Sequence, residues 1–237
     1  MSTAKDLFII VMDSKSPDSV GQGDLSLALA GAELIDLIGA GAVVVDGDRI
    51  VPGEAPSPDD RIMAEAAAGV TRQAPYERIE DWLWRRGQDL SATYQAALEA
   101  DGELTRKRGG RWSLAPERME TADTPARRRA ADRWDEQDPV LVALASAVGL
   151  DAERPGDVSG PGAEIGVDDA AGSGEARGPG DDIRPGGAAG PDDAPGLGDE
   201  AVTTVVAVVN DALMELEAVR QRRTIENAAF ANLWRGP

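Results

Sequence analysis

The chain has 237 residues, a formal net charge of −19 at pH 7, and neither cysteine nor histidine. The missing cysteine excludes disulfides and thiolate metal sites, and the missing histidine excludes the usual nucleophile systems and the commonest metal ligand. The sequence has no apolar run of about eighteen residues and no basic N-terminal region followed by an apolar stretch. We therefore expect a cytoplasmic chain with neither a membrane span nor a secretory signal.

Residues 1–52 predict two helices followed by a tight β-hairpin. Thr3 is the predicted N-cap of the first helix, with Asp6 at the third helical position of a capping box. Asp24 is the predicted N-cap of a second helix, which is apolar almost all the way round, as is typical of a buried helix. A glycine-rich exit leads to the strands "AVVV" and "RIV", and the Asp-Gly pair between them favours a hairpin turn.

Residues 75–150 predict a second helix-then-hairpin unit and two further helices. A long helix is expected from Pro75 to Gly102, because apolar residues recur at three- and four-residue steps. The strands "ELTRKR" and "RWSLA" are expected to form a hairpin around a Gly-Gly pair. A basic helix, "TPARRRAADRWDE", follows, and then a buried helix that opens with Pro139 in its first turn.

The composition changes abruptly after residue 150. Residues 151–200 contain 13 glycines and 6 prolines, scattered acids and almost no large apolar side chains, which predicts a long disordered acidic loop. Residues 201–237 regain a helical stripe of valine and leucine that needs a buried partner face. The fold class is therefore mainly α, with residues 1–150 and 201–237 forming a single compact helical domain that has two small β-hairpins and is interrupted by the loop.

Paired acids are the only residues that suggest catalysis or metal binding. They occur where helix starts and loops ordinarily place acids, and their spacing matches no cation-binding loop. We therefore expect no enzyme activity, no cofactor and no metal site, although a carboxylate-based enzyme stays as a third hypothesis. The pairs are Asp59-Asp60, Glu80-Asp81 and Asp168-Asp169.

Basic residues are concentrated in the second hairpin and in the basic helix that follows. Together they form one positive face on an acidic protein, or else they pair with Asp135, Glu136 or the acidic loop. The first hairpin carries Asp46 and Asp48 and would repel a phosphate backbone, so nucleic-acid binding is disfavoured. The candidate headgroup-binding residues are Arg106, Lys107, Arg108, Arg127, Arg128 and Arg129.

The order of these segments resembles the Golgi phosphoprotein 3 family, whose bacterial members are common in actinobacteria, and the resemblance implies an actinobacterial member. The similar stretches lie within residues 5–150 and are "KDLFIIVMDSKS", "LSLALAGAELIDLIGAGAVVVDGDRIV", "IEDWLWRRGQDLSATYQAALEADGELTRKRGGRW" and "DPVLVALASAVGL". The resemblance implies a helical, non-catalytic protein. Eukaryotic members are peripheral membrane proteins that recognise phosphatidylinositol 4-phosphate and act as adaptors for cytoplasmic tails, and their second hairpin is linked to self-association and membrane contact.

The residues that form the headgroup pocket of those relatives differ here. A tryptophan and arginines of the family align with Gly21, Ala30 and Pro139 or Val140, none of which holds a phosphate as an arginine fork does. The resemblance therefore implies the fold without that specific pocket.

Two functions follow from this combination. The first is a peripheral protein on the inner face of the cell membrane that binds anionic phospholipid or phosphoinositide headgroups, acts as an adaptor, or does both, with homo-oligomers formed through the second hairpin. The alternative is a soluble protein-protein interaction or regulatory protein that kept the fold and lost the phosphoinositide pocket.

Overall fold

Eight α-helices and two small antiparallel sheets make up the described part of a computed structural model, which covers residues 2–14, 17–55, 58, 60–107, 118–150 and 196–233. This confirms the mainly α fold class. The helices are α1 (Thr3–Asp13), α2 (Gln22–Gly39), α3 (Arg61–Ala68), α4 (Ile79–Arg86), α5 (Leu90–Ala100), α6 (Pro125–Asp135), α7 (Pro139–Ala147) and α8 (Glu200–Leu233). The strands are β1 (Val43–Asp46), β2 (Arg49–Pro52), β3 (Leu104–Lys107) and β4 (Arg118–Thr121).

Helix α2 lies at the centre of the core and contacts six of the other helices. Its side chains are buried on almost every face, as the apolar sequence predicts. A glycine at position 31 allows α8 to approach closely, because a Cβ there would lie 2.4 Å from a methyl of Val209. The first half of α8 supplies Val202, Val205 and Val209 to the same core, so the C-terminal helix completes the interior.

Residues Met1–Ala152 and Pro195–Pro237 form one compact unit. The predicted disordered loop at 151–200 lies outside the described residues except for its last five positions. Those five positions are a turn at 196–199 and the first residue of α8.

The predicted caps of the first two helices were wrong. Ser2, not Thr3, caps α1, since its hydroxyl accepts from the backbone N–H of Lys5 at 3.3 Å. Helix α2 begins at Gln22 after Gly21, so Asp24 lies in its first turn. Both acids from these predicted capping motifs make ion pairs with distant arginines instead, which local sequence does not reveal.

The first hairpin forms as predicted, with one residue of difference in its strands. Asp46 pairs with Arg49, which leaves Gly47 and Asp48 as a two-residue turn, and Gly47 has a φ of 59°. Such a positive φ is typical of Gly in the hairpin turns that suit twisted strands.

The second hairpin exists, but its returning strand differs from the prediction. Strand β3 pairs with β4 in the register Leu104↔Thr121 to Lys107↔Arg118. The predicted strand "RWSLA" at 111–115 lies outside the described residues. The observed partner, "RMET", has no apolar alternation that would have marked it as a strand.

The predicted long helix from Pro75 to Gly102 was wrong, because the structure divides it into α4 and α5. Residues 77–79 instead extend the first hairpin, and Ile50 N–H donates to the Glu77 carbonyl at 3.0 Å. The break at Gly87 lies against α2: a Cβ there would come within 3.4 Å of the Ser26 carbonyl and closer still to the Leu83 carbonyl. Asp89 then adopts a left-handed conformation with a φ of 54°.

Candidate functional site

The basic helix predicted from "TPARRRAADRWDE" is α6, and it packs on α1. Thr124 is its N-cap, since the hydroxyl accepts from the backbone N–H of Arg127 at 3.2 Å, and Pro125 occupies the first helical position. Cap and proline fix where the helix begins and therefore which arginines face α1.

Two of these arginines meet in a buried ion-pair cluster, called here the Asp6 centre. Asp6 of α1 is fully buried, and its carboxylate accepts from Arg129 Nη2 at 2.9 Å and from Arg133 Nη1 at 2.7 Å. Arg133 also reaches Asp138 at 2.8 Å, and Asp138 caps α7 through the N–H groups of Val140 and Leu141. The Asp6 centre therefore ties α1, α6 and α7 together.

Charge compensation at the Asp6 centre outweighs the cost of burying Arg133. Burial by itself lowers the pKa of Arg133, but the hydrogen bonds to Asp6 and Asp138 outweigh it and hold that pKa above its ordinary value. Because a buried carboxylate without partners is expensive, Arg129 and Arg133 are committed to Asp6.

A second aspartate of α1 makes a different contact at the rim of the same interface. The carboxylate of Asp13, the last residue of α1, accepts from Arg127 Nε at 2.7 Å and from the hydroxyl of Thr121 in β4. The side chains of Asp13 and Arg127 are 25% and 42% exposed. Asp13 therefore joins the base of the second hairpin to the first turn of α6.

The candidate headgroup-binding residues that the structure describes lie in different surroundings. Arg129 belongs to the Asp6 centre, whereas Arg127 lies at the exposed rim. The side chain of Arg128 is 67% exposed, and its Nε lies 3.4 Å from Oδ1 of Asp123, which is 78% exposed. Among the described residues, the acidic partners of Arg127, Arg128 and Arg129 are Asp13, Asp123 and Asp6 rather than the expected Asp135 or Glu136. Arg106 and Lys107 are in β3, and Arg108 lies outside the described residues.

The second hairpin and α6 are neighbours in space as well as in sequence. Only residues 122–124 separate β4 from α6, and Asp13 contacts both elements. We call β3, β4 and the N-cap and first turn of α6 (residues 104–107, 118–121 and 124–128) the hairpin–α6 surface.

A further buried cluster, missed by the sequence reasoning, surrounds Glu33 of α2. Its fully buried carboxylate receives Arg86 Nε at 2.7 Å, Arg86 Nη2 at 3.0 Å and the Tyr94 hydroxyl at 3.1 Å. Burial raises the pKa of Glu33, and the hydrogen bond from Arg86 offsets this in part. An acid inside an otherwise apolar helix was the available signal, because such a charge needs a partner.

The paired acids that suggested metal or acid–base chemistry have local structural roles where they are described. Asp60 caps α3 by accepting from Met63 N–H at 3.0 Å, and Glu80 and Asp81 lie in the first turn of α4. Asp59 and the pair at 168–169 lie outside the described residues. Within the ranges that the structure describes, no group of three or more acids is arranged to hold a metal ion.

The positions aligned with the family's headgroup pocket hold no cation of their own. Ala30 is fully buried, Val140 nearly so, and Pro139 is the first residue of α7. A side chain on Gly21 would collide with Asp24, whose carboxylate is held by Arg220 of α8 at 2.7 and 2.8 Å. An internal ion pair thus occupies the start of α2.

Beside this ion pair, a groove of about 350 Å³ lies between α2, the α4–α5 turn and α8. None of its described lining residues is basic, so it does not suit an anionic headgroup. Its walls include Gln22, Leu27, Trp84, Gln88, Ser91 and Leu216.

A family model described as Golgi phosphoprotein 3 (GPP34) matches residues 4–164, more than half of the chain, and spans α1 to α7 with both hairpins. No curated protein matches the chain. Across the described part of the structure, no helix is both long enough and apolar enough to cross a membrane.

Proposed function

The chain belongs to the Golgi phosphoprotein 3 (GPP34) family, and from this premise we propose that it is a non-catalytic protein that binds anionic membranes peripherally through the hairpin–α6 surface. The observation that carries the proposal is that Asp13 brings the base of the second hairpin and the exposed start of α6 together. This contact supports the proposal because it places the base of the second hairpin beside the start of the basic helix.

Local charge supports this choice of surface. Residues 104–129 carry eight basic and three acidic side chains, although the whole chain has a net charge of −19. A basic residue near an anionic leaflet gains about 1 kcal/mol, and the attraction fades within a Debye length of about 10 Å. The acidic remainder of the protein thus favours one orientation, with the hairpin–α6 surface toward the bilayer.

Burial separates the arginines that can bind a headgroup from those that cannot. Exposed ion pairs contribute about 0–1 kcal/mol, so Arg127 and Arg128 can exchange Asp13 and Asp123 for a phosphate. Arg129 does not exchange in this way, because its departure would remove one of the two arginines that compensate the buried Asp6. We therefore assign headgroup contact to Arg127 and Arg128 together with the basic hairpin residues, and a structural role to Arg129.

The proposed interaction depends on charge rather than on one headgroup. The positions of the family pocket hold Gly21, Ala30 and Pro139 or Val140, and the start of α2 is filled by the Asp24–Arg220 pair. We therefore expect strong salt dependence and no preference for phosphatidylinositol 4-phosphate over other lipids of equal charge.

The non-catalytic part of the proposal rests on how the buried acids are used. Asp6 and Glu33 are each held by an arginine at 2.7 Å. A carboxylate fixed in this way stabilises packing and is not available to a substrate.

Vesicle flotation tests the proposal. Wild-type protein should float with phosphatidylcholine vesicles that contain phosphatidylglycerol, lose binding as salt rises, and stay unbound with phosphatidylcholine alone. Arg127→Gln/Arg128→Gln should weaken binding by about 2 kcal/mol, or roughly thirtyfold. The matched control is Arg222→Gln/Arg223→Gln, which removes the same charge from an exposed part of α8. Equal losses in both variants, or no flotation of the wild type, would refute the assignment.

A second candidate function, protein–protein interaction, is favoured by exposed apolar side chains on α8. Met214 and Ile225 are 65% and 69% exposed. Met214→Glu/Ile225→Glu should leave flotation unchanged and abolish capture of a protein partner by the intact chain. Capture that survives both substitutions would remove this surface from consideration.

A further inference from the structure

Asp13 occupies a position that its own helix does not favour. The C-terminal end of an α-helix carries partial negative charge, which suits basic residues, yet the last turn of α1 contains Asp13 and no basic residue. The contacts that hold its carboxylate come from elsewhere, namely Arg127 of α6 and Thr121 of β4.

The donors that hold Asp13 are those that a phosphate group would use. A guanidinium and a hydroxyl both donate to carboxylate and phosphate oxygens, and arginine binds either group through charge-assisted hydrogen bonds. Both donors also belong to the hairpin–α6 surface. The carboxylate therefore already fills the place where a phospholipid phosphate would meet Arg127.

We propose that Asp13 limits the affinity of the hairpin–α6 surface for anionic phospholipid by competing with the lipid phosphate for Arg127 and Thr121. This inference rests on the proposed function and names a residue that tunes it. A headgroup that accepts from the Nε–H of Arg127 and from the Thr121 hydroxyl must displace Asp13 and then tolerate its charge nearby. The side chains of Asp13 and Arg127 are 25% and 42% exposed, which leaves room for this exchange.

The contrast with Asp6 shows why only Asp13 can act in this way. Asp6 is fully buried and held by two arginines, so its displacement would leave a charge without solvent. Asp13 is partly exposed, so its carboxylate stays hydrated after displacement and the loss of Arg127 costs little free energy.

The test compares Asp13→Asn with wild type in flotation on phosphatidylglycerol-containing vesicles over a salt series. Removing one competing charge should raise the partition coefficient about fivefold and steepen its decrease with salt. Asp211→Asn is the matched control, since it makes the same change of net charge at an exposed site on α8. The gain should largely disappear in the Arg127→Gln background, as a double-mutant cycle measures.

The outcomes separate the inference from the proposed function. If wild type floats and Asp13→Asn gains no more than Asp211→Asn, the competition is wrong while membrane binding stands. If Asp13→Asn floats and wild type does not, the competition at the hairpin–α6 surface is supported, whereas membrane binding by the wild-type protein is refuted. If neither floats, both proposals are wrong.

A final experiment distinguishes a lipid phosphate from free inorganic phosphate as the ligand. Inorganic phosphate without vesicles, compared with chloride at equal ionic strength, should leave the melting temperature of Asp13→Asn unchanged. A clear rise would assign the position to a free phosphate and overturn the lipid as its ligand.

Discussion

Helix α1 places two aspartates against α6, and the two differ in their exposure to solvent. Asp6 and Asp13 are seven residues apart, which is two helical turns, so both face the same arginine-bearing helix. Asp6 is buried and pairs with Arg129 and Arg133, whereas Asp13 pairs with Arg127 at the edge of the interface, where both side chains are partly exposed. The same pair of residue types thus makes a structural contact in one place and an exchangeable contact in the other, and solvent exposure decides which.

The strongest test of this comparison is Asp6→Asn. It should reduce the free energy of unfolding by about 3 kcal/mol, because Arg129 and Arg133 would lose a buried counter-charge. Urea unfolding followed by circular dichroism measures the change, with Asp13→Asn as the reference. A loss below 1 kcal/mol would show that the Asp6 centre stabilises the fold no more than the Asp13–Arg127 pair does.

Glu33→Gln sharpens the comparison with a second buried acid that has one arginine instead of two. We expect a loss of about 2 kcal/mol at acidic pH, from the weakened bonds to Arg86 and Tyr94. Because the folded-state pKa of Glu33 is raised by burial, its contribution to stability is complete below about pH 4.5 and is lost as pH rises through the folded pKa. The difference between wild type and variant should therefore shrink toward neutral pH. A difference that grows with pH would mean that Arg86 outweighs burial.

At the rim, Asp13→Asn should change the free energy of unfolding by less than about 1 kcal/mol, since exposed ion pairs contribute little. A thermal melt beside wild type measures it. A loss as large as that of Asp6→Asn would abolish the distinction between the two aspartates.

Arg128→Gln should have the smallest effect on stability, within about 0.5 kcal/mol, because both Arg128 and Asp123 are mostly exposed. The same variant should nevertheless weaken flotation about fivefold. Arg129→Gln is its opposite: it should lower stability and change flotation less than Arg128→Gln. The reversed pattern would place Arg129 at the membrane.

The sequence predicted much of the architecture, and its errors share a cause. The buried α2, the first hairpin, the first strand of the second hairpin and the valine-rich C-terminal helix were recognisable from periodicity and glycine placement. The break between α4 and α5 was missed because it depends on the close approach of Gly87 to Ser26. The sequence predicted the basic helix. It did not reveal which of the arginines pair with a buried acid, since Asp6 lies more than 120 residues from Arg129 in the chain.

By itself, the sequence determined most of the helices, the first hairpin and where positive charge accumulates on an acidic chain. These features depend on propensities and spacings within a few residues. Only the tertiary structure decided that Asp6 is buried against two arginines and that Asp13 stays partly exposed. The physical reason is that the strength of an ion pair depends on its distance and on the surrounding solvent. Both are set by which helices pack together, and no local pattern in the chain records that packing.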